Sequence, residues 1–363
     1  MTRDPKPPSA GGKGAPTPLG GVRRAPVRLS EAELVRFAPL RSDGVLPILA
    51  TRAVDGVDLI PWAERNRDAL RSRLVENGAI LFRGFEIGGP ERFEQLIAAV
   101  SGQLLEYKYG STPRTRVGGN IYTSTEYPAH QEIPLHNEMS YSRDWPLKIW
   151  FFCVTPSPQG GETPIADSRR VFARIDPVLR DRMIGKGVLY VRNYGKGLDL
   201  PWQKVFQTEE RAKVEEFCRA AGIDFEWGEG DRLRTREVCQ AAEKHPVTHE
   251  AVWFNQAHLF HVSNVSAEAR EQLLASYAEE DLPRNSYYGD GSPFDDADLE
   301  RIREAYRAEA VAFPWQAGDI LMVDNMLTAH SRKPYSGPRR VVVGMAESWR
   351  EARAGDSGAA GHR

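Results

Sequence analysis

The sequence predicts a β-rich mixed α/β fold, a sandwich or barrel of strands with helices ahead of it and a helical insertion in its middle. Three observations point there. Short, strongly apolar segments bounded by Pro and Gly lie on both sides of a partly helical region. Two helix patterns precede most of those strands. Neither a G-x-G-x-x-G nor a Walker sequence marks a nucleotide-binding βαβ unit.

Residues 1–25 are rich in Pro, Gly and Lys and read as a disordered tail. Residues 62–77 carry Leu70, Leu74 and Val75 at helical spacing, and Gly78 stands where a helix would stop. Residues 79–82 then read as a buried strand. The 91–100 segment sets Phe93, Leu96, Ile97 and Val100 on one helical face. An almost wholly apolar strand follows at 148–155, closed by Pro156 and Pro158, and another is expected at 187–193. Helices are expected at 209–221 and 267–280. Strands at 319–326 and 340–345 come last, joined by a loop holding Pro334, Ser336, Gly337 and Pro338. The organisation expected is one domain over residues 26–350, with a helical insertion at about 196–310 and a disordered tail at 351–363.

Composition narrows the function. Hydrophobic residues make up 41% and charged residues 27%, an ordinary globular balance. Lys and Arg total 48 against 50 Asp and Glu, a net charge of -2, which speaks against nucleic acid as a partner. The three cysteines, Cys153, Cys218 and Cys239, are far apart and form no C-x-x-C pair, so no disulfide framework or zinc knuckle is indicated. Cys153 is expected in the core. No apolar run approaches the roughly 20 residues that span a bilayer, and the N-terminal stretch has no apolar core of a secretory signal. The expectation is a cytoplasmic protein with no membrane partner.

Chemistry enters at Pro134-Leu135-His136-Asn137-Glu138. In extended chain, side chains alternate, so His136 and Glu138 project together and Asn137 opposes them. An imidazole and a carboxylate can then reach one metal ion, although H-x-E alone is a weak signal. A second histidine, His330, ends the apolar segment that starts at Asp319, where a barrel would open. Ten residues on, Arg340 heads Val341-Val342-Val343. A guanidinium entering an apolar strand needs an anion, supplied either by the protein or by a ligand carboxylate. Two histidines and one carboxylate with open positions suit non-haem iron(II), though the same set is also a reasonable zinc site, which would make the protein a hydrolase.

The combination of His136-x-Glu138, Gly160-Gly161-Glu162-Thr163-Pro164, Asp324-Asn325 leading to His330, and Arg339-Arg340 resembles the TauD/TfdA family of iron(II)- and 2-oxoglutarate-dependent dioxygenases. The resemblance runs from about Gly78 to Met345. Residues 120–128, NIYTSTEYP, resemble the SyrP-like, clavaminate-synthase-like branch. The family implies a double-stranded β-helix, or jelly roll, with His136, Glu138 and His330 as catalytic iron ligands. It implies a Thr163 hydroxyl and the Arg340 guanidinium on 2-oxoglutarate, with Arg339 on the opposite face of its strand, and O2 as the second cosubstrate. The commonest family triad has Asp where this chain has Glu138, a departure tolerated in that branch. Halogenating relatives have a small residue there, so a carboxylate implies hydroxylation instead.

The substrate implied is an amino acid, or an aminoacyl group on a peptidyl carrier protein, in the biosynthesis of a peptide antibiotic. Another 2-oxoglutarate-dependent oxidation of a small anionic metabolite would use the same residues. Glu106, Arg114 and Asn255 are candidate substrate contacts. The histidines of H-x-x-H, His258 and His261, lack a third ligand of matching spacing, and His130 and His245 read as surface residues.

Overall fold

The computed structural model describes residues 1–2, 30–42, 46–107, 109–195 and 200–350. Apart from its first two residues, the expected tail at 1–25 lies outside these, as does that at 351–363.

The apolar run at 148–155 is the end of a longer strand, Asp144–Thr155, and it forms the middle of the main sheet. Ile320–Asp324 and Arg340–Arg350 pair with it, both antiparallel. The eight strands run in the order Val35–Pro39, Ile48–Arg52, Ala79–Arg83, Ile320–Asp324, Asp144–Thr155, Arg340–Arg350, Ile121–Thr123 and Arg116–Gly118. Both faces are covered, which explains why the central strands read as continuous apolar runs rather than alternating ones. Trp150, Phe152, Met322 and Val342 face helices Leu59–Arg65, Arg67–Asn77 and Pro90–Ser101 through Leu70, Leu74, Phe93, Leu96 and Ile97. Ile149, Phe151, Cys153, Val323, Val341 and Val343 face the other way, toward Ile165 of a second sheet.

That second sheet has three strands, Ile133–His136, Thr328–Arg332 and Ile165–Asp167, with Thr328–Arg332 in the middle. Two sheets face to face with helices outside make the jelly roll expected. The 62–77 helix is broken at Asn66, whose backbone leaves the helical region (φ -107°, ψ 21°) and whose side chain caps Trp62 O at 2.8 Å. Gly78 ends its second half in the left-handed conformation (φ 70°), as its position predicts.

The insertion departs from expectation. It is not purely helical but shares a four-stranded antiparallel sheet, ordered Asp224–Trp227, Leu233–Cys239, Val188–Tyr194 and Arg284–Tyr288. In Leu233–Cys239 the period of two is plain: Leu233, Thr235, Glu237 and Cys239 are buried, while Arg234, Arg236 and Val238 are not. Charged outward residues disguise the strand. Helices Arg211–Ala221 and Asp296–Glu309 cover this unit through Val214, Cys218, Leu299 and Ile302. The 267–280 helix stops at Ser276 and has no buried residue. Cys153, Cys218 and Cys239 are all buried and free. Among the described residues no helix is long and apolar enough to cross a membrane.

Candidate metal centre

The register of the small sheet makes His330 the cross-strand partner of His136. Their ring centroids lie 4.6 Å apart, and Phe151 from the main sheet sits 5.1 Å from the His330 ring. Glu138 follows two residues past the end of the His136 strand, in a turn where Met139 has φ 57°. One ligand atom from each of His136, Glu138 and His330 falls within 4.8 Å of the others, the sole such His/Cys/Asp/Glu group among the described residues.

The protonation states suit a cation. His136 Nδ1 lies 2.8 Å from Pro134 O, which can only accept, so Nδ1 carries the hydrogen and Nε2 keeps its lone pair. Burial, helped by His330, holds His136 down at about 4, so it is neutral at ordinary pH. Burial would raise Glu138, but Arg114 and the two histidines outweigh it and hold the carboxyl at about 2. His330 Nε2 stands 3.7 Å from Glu138 Oε2, and its Nδ1 is buried without a hydrogen-bond partner. Two nitrogen donors and one oxygen donor on one side of a buried point, with room left beside them, fit non-haem iron(II).

Asn325 fixes the carboxylate's backbone. Its side-chain oxygen accepts from Glu138 N at 2.8 Å, and its amide donates to Glu138 O at 2.9 Å and Pro146 O at 2.8 Å. Asn137, turned away from the triad as alternation predicts, donates to Asn325 O and Ser168 Oγ. Next door, Asp324 is buried between Lys148 Nζ at 2.7 Å and His245 Nε2 at 3.3 Å, and caps Met326 N and Leu327 N. His245 is thus a buried residue, not the surface histidine expected.

A small cavity of about 30 Å³ opens beside the triad, lined among others by Arg114, Thr125, His136, Thr163, His330, Arg332 and Arg339. Thr163 is buried and accepts from Trp315 Nε1 at 3.1 Å. An indole N–H only donates, so the threonine hydroxyl keeps its own hydrogen for an acceptor in the cavity. Gly160 and Gly161 both have positive φ, 67° and 76°. A Cβ on Gly161 would stand 2.9 Å from Arg339 Cδ, so this turn admits Arg339 only because it has no side chain.

Here the placement differs from expectation. Arg340 is exposed and does not line the cavity; Arg339 does. Val341 and Val343 face the inter-sheet core, and Arg339 shares their side two residues earlier. Arg340 shares the side of Val342, but lies beyond the helices that cover that residue, so it ends in solvent. Arg339 donates to Gly161 O at 2.9 Å and Ser124 Oγ at 3.3 Å. Burial and the neighbouring Arg332 pull its guanidinium down to about 10, so it remains charged at neutral pH. Arg332, also missed by sequence, ties Tyr127 O, Pro128 O and Gln131 O to the strand that carries His330.

Of the candidate substrate contacts, Arg114 alone lines the cavity. Glu106 is exposed and outside it. Asn255 is fully buried, donating to Ala241 O and accepting from Ala257 N, so it holds backbone rather than facing the cavity. His258 is likewise structural, with Nε2 2.9 Å from Leu135 O, and it forms no metal-sized cluster with His261.

A jelly roll with two histidines and a carboxylate at its mouth, and a half-buried guanidinium in the adjoining cavity, defines a class: the 2-oxoglutarate-dependent non-haem iron dioxygenases. The chain belongs to the TauD/TfdA family, whose description, "Taurine catabolism dioxygenase TauD, TfdA family", matches residues 37–346. It is 42% identical over 274 residues to the dapdiamide synthesis protein DdaC of Enterobacter agglomerans, covering 76% of this chain and 83% of that one. It is 32% identical over 293 residues to a clavaminate synthase-like protein of Arabidopsis thaliana, covering 77% and 84%. Among solved structures, PvcB of Pseudomonas aeruginosa shares the fold with a TM-score of 0.52 at 14% identity, over 89% of this chain and 94% of that one.

Proposed function

We propose that His136, Glu138 and His330 hold Fe(II), that Arg339 and Thr163 hold the distal carboxylate of 2-oxoglutarate, and that the enzyme hydroxylates an amino acid in natural-product biosynthesis. The substrate is free or presented by a peptidyl carrier protein. The observation that carries this reading is the half-buried Arg339, which lines with Thr163 the cavity that His136 and His330 border, because a metal site alone has no use for an anion clamp. The kinship with a dapdiamide synthesis protein supports a biosynthetic role.

Iron(II) with 2-oxoglutarate and O2 supplies the oxidising chemistry, in which the keto acid becomes succinate and CO2 and an oxygen atom enters a substrate C–H bond. This chain positions the parts. His136 is presented with its lone pair outward by the Pro134 carbonyl. Glu138 is kept ionised by Arg114 and held at its backbone by Asn325. Thr163, its oxygen engaged by Trp315, donates its hydrogen to the bound acid, and Arg339 balances that acid's charge.

The test is anaerobic addition of Fe(II) and 2-oxoglutarate to the purified protein, followed by air. A visible charge-transfer band that needs both additions, then slow succinate formation, is the expected result. A protein that binds the metal but shows no band and forms no succinate with any amino acid would overturn the proposal.

A further inference from the structure

We propose that Arg114 anchors a carboxylate of the substrate beside the metal, so that the molecule oxidised presents a free anionic group to this wall of the cavity. The inference rests on the dioxygenase reading above.

The Arg114 side chain is 3% exposed, and its Nη2 donates to Glu138 Oε2 at 2.7 Å. The guanidinium lies over the Tyr107 ring, 4.7 Å from its centre. Nε and Nη1 are buried and make no hydrogen bond of normal geometry, with the Tyr107 hydroxyl nearby as a weak partner of the guanidinium. If orienting Glu138 were its whole task, a single N–H on a lysine would serve. A buried guanidinium that leaves two donors open is costly unless a ligand fills them. The wall around it is polar: Tyr107 Oη lies 3.2 Å from Thr112 Oγ1, which lies 3.3 Å from the hydroxyl of Thr125 on the cavity lining.

Charge points the same way. The cavity is lined by three guanidinium groups, Arg114, Arg332 and Arg339, and the lining contains no carboxylate. Glu138 offsets one of the three, and the charges of Fe(II) and 2-oxoglutarate cancel each other. Two positive charges then remain at a partly open site, which favours an anionic substrate. Since Arg114 touches a triad carboxylate, an anion on its open donors would put the neighbouring carbons of the substrate next to the metal. The carboxylate could be the α-carboxylate of a free amino acid or the side-chain carboxylate of an aminoacyl thioester.

The experiment uses the holoenzyme with Fe(II) and 2-oxoglutarate. The probes are the common L-amino acids as free acids and as methyl esters, with the α-thioesters of L-aspartate and L-glutamate on pantetheine. Succinate release and the shift of the anaerobic absorption band on probe binding are both read, in wild type and in Arg114→Lys and Arg114→Gln. Free acids that act while their esters do not identify an α-carboxylate; active acidic thioesters identify a side-chain one. In either case Arg114→Lys, compared at Fe(II) and 2-oxoglutarate concentrations that give its full band, should need at least about tenfold more probe than wild type, the scale of a lost hydrogen-bonded contact to a charge. Equal action by an ester of a monocarboxylic amino acid would overturn the anchor. So would a panel in which no carboxylate acts, or variants that raise the requirement for 2-oxoglutarate and leave that for the probe unchanged. Failure of wild type to form the band at all would bring down the dioxygenase reading, and the anchor with it.

Discussion

The side-chain amide of Asn325 pairs with both the N–H and the C=O of Glu138, at 2.8 and 2.9 Å, standing in for the strand neighbour that Glu138 lacks beyond the end of its own strand. The backbone of a ligand in a turn is thereby given two of the hydrogen bonds that a strand ladder would supply. Asn325→Ala should weaken Fe(II) or Mn(II) binding by about 10–100-fold, the range for groups that orient a ligand. Metal titration checks this, and an unchanged dissociation constant would mean that Glu138 is placed without Asn325.

The two adjacent arginines give opposite expectations. Arg339→Leu removes a half-buried charged contact and should raise the 2-oxoglutarate needed for half-saturation about tenfold or more. Arg340→Leu, at a solvent-exposed position, should change it less than about twofold. A concentration series of the keto acid with each variant distinguishes them. A reversed order would return the clamp to Arg340.

Asp324, fully buried, neutralises the nearly buried Lys148. Asp324→Asn leaves a buried ammonium without its counter-charge and should cost about 3–5 kcal/mol in denaturant unfolding. A loss under about 1 kcal/mol would show that Lys148 finds another partner or sheds its proton.

Stability should also depend on pH through Glu237. Burial pushes this carboxyl up from 4.5 to about 7, against the pull of Cys239, Arg143 and Tyr109. Below about pH 4.5 the side chain is protonated in both folded and unfolded chains and costs nothing. Between about pH 4.5 and 7 the unfolded chain is ionised while the folded one is not, and roughly 3 kcal/mol of stability is lost across that window, with no further loss above it. Glu237→Gln should therefore be more stable than wild type at pH 8 and equal to it near pH 4, as read from denaturant midpoints. A difference independent of pH would contradict the assignment.

The main sheet and the triad were legible because their signals are local. Ile149–Val154 is apolar on both faces, and His136 and Glu138 sit at the spacing that one extended segment turns to one side. Choosing between Arg339 and Arg340 required knowing which valine of Val341–Val343 faces inward, and an apolar run has no polar residue to mark the parity. The strand Leu233–Cys239 hid for the opposite reason, since its inward face includes Thr235 and Glu237 and its outward face two arginines. His245 and Asn255 looked like surface or cavity residues. Their partners, Asp324 and Ala241, come from elsewhere in the fold.

His136 and His330 are neighbours in space but stand at the two ends of the chain segment that contains the whole insertion. An ion bound to both therefore acts as a clasp on a very long loop, and its binding energy is added to the folded state alone. Loading should raise the temperature at which the β-sandwich and the inserted sheet come apart, and a chelator should lower it. Iron supply would then govern how long the polypeptide survives as well as how fast it turns over.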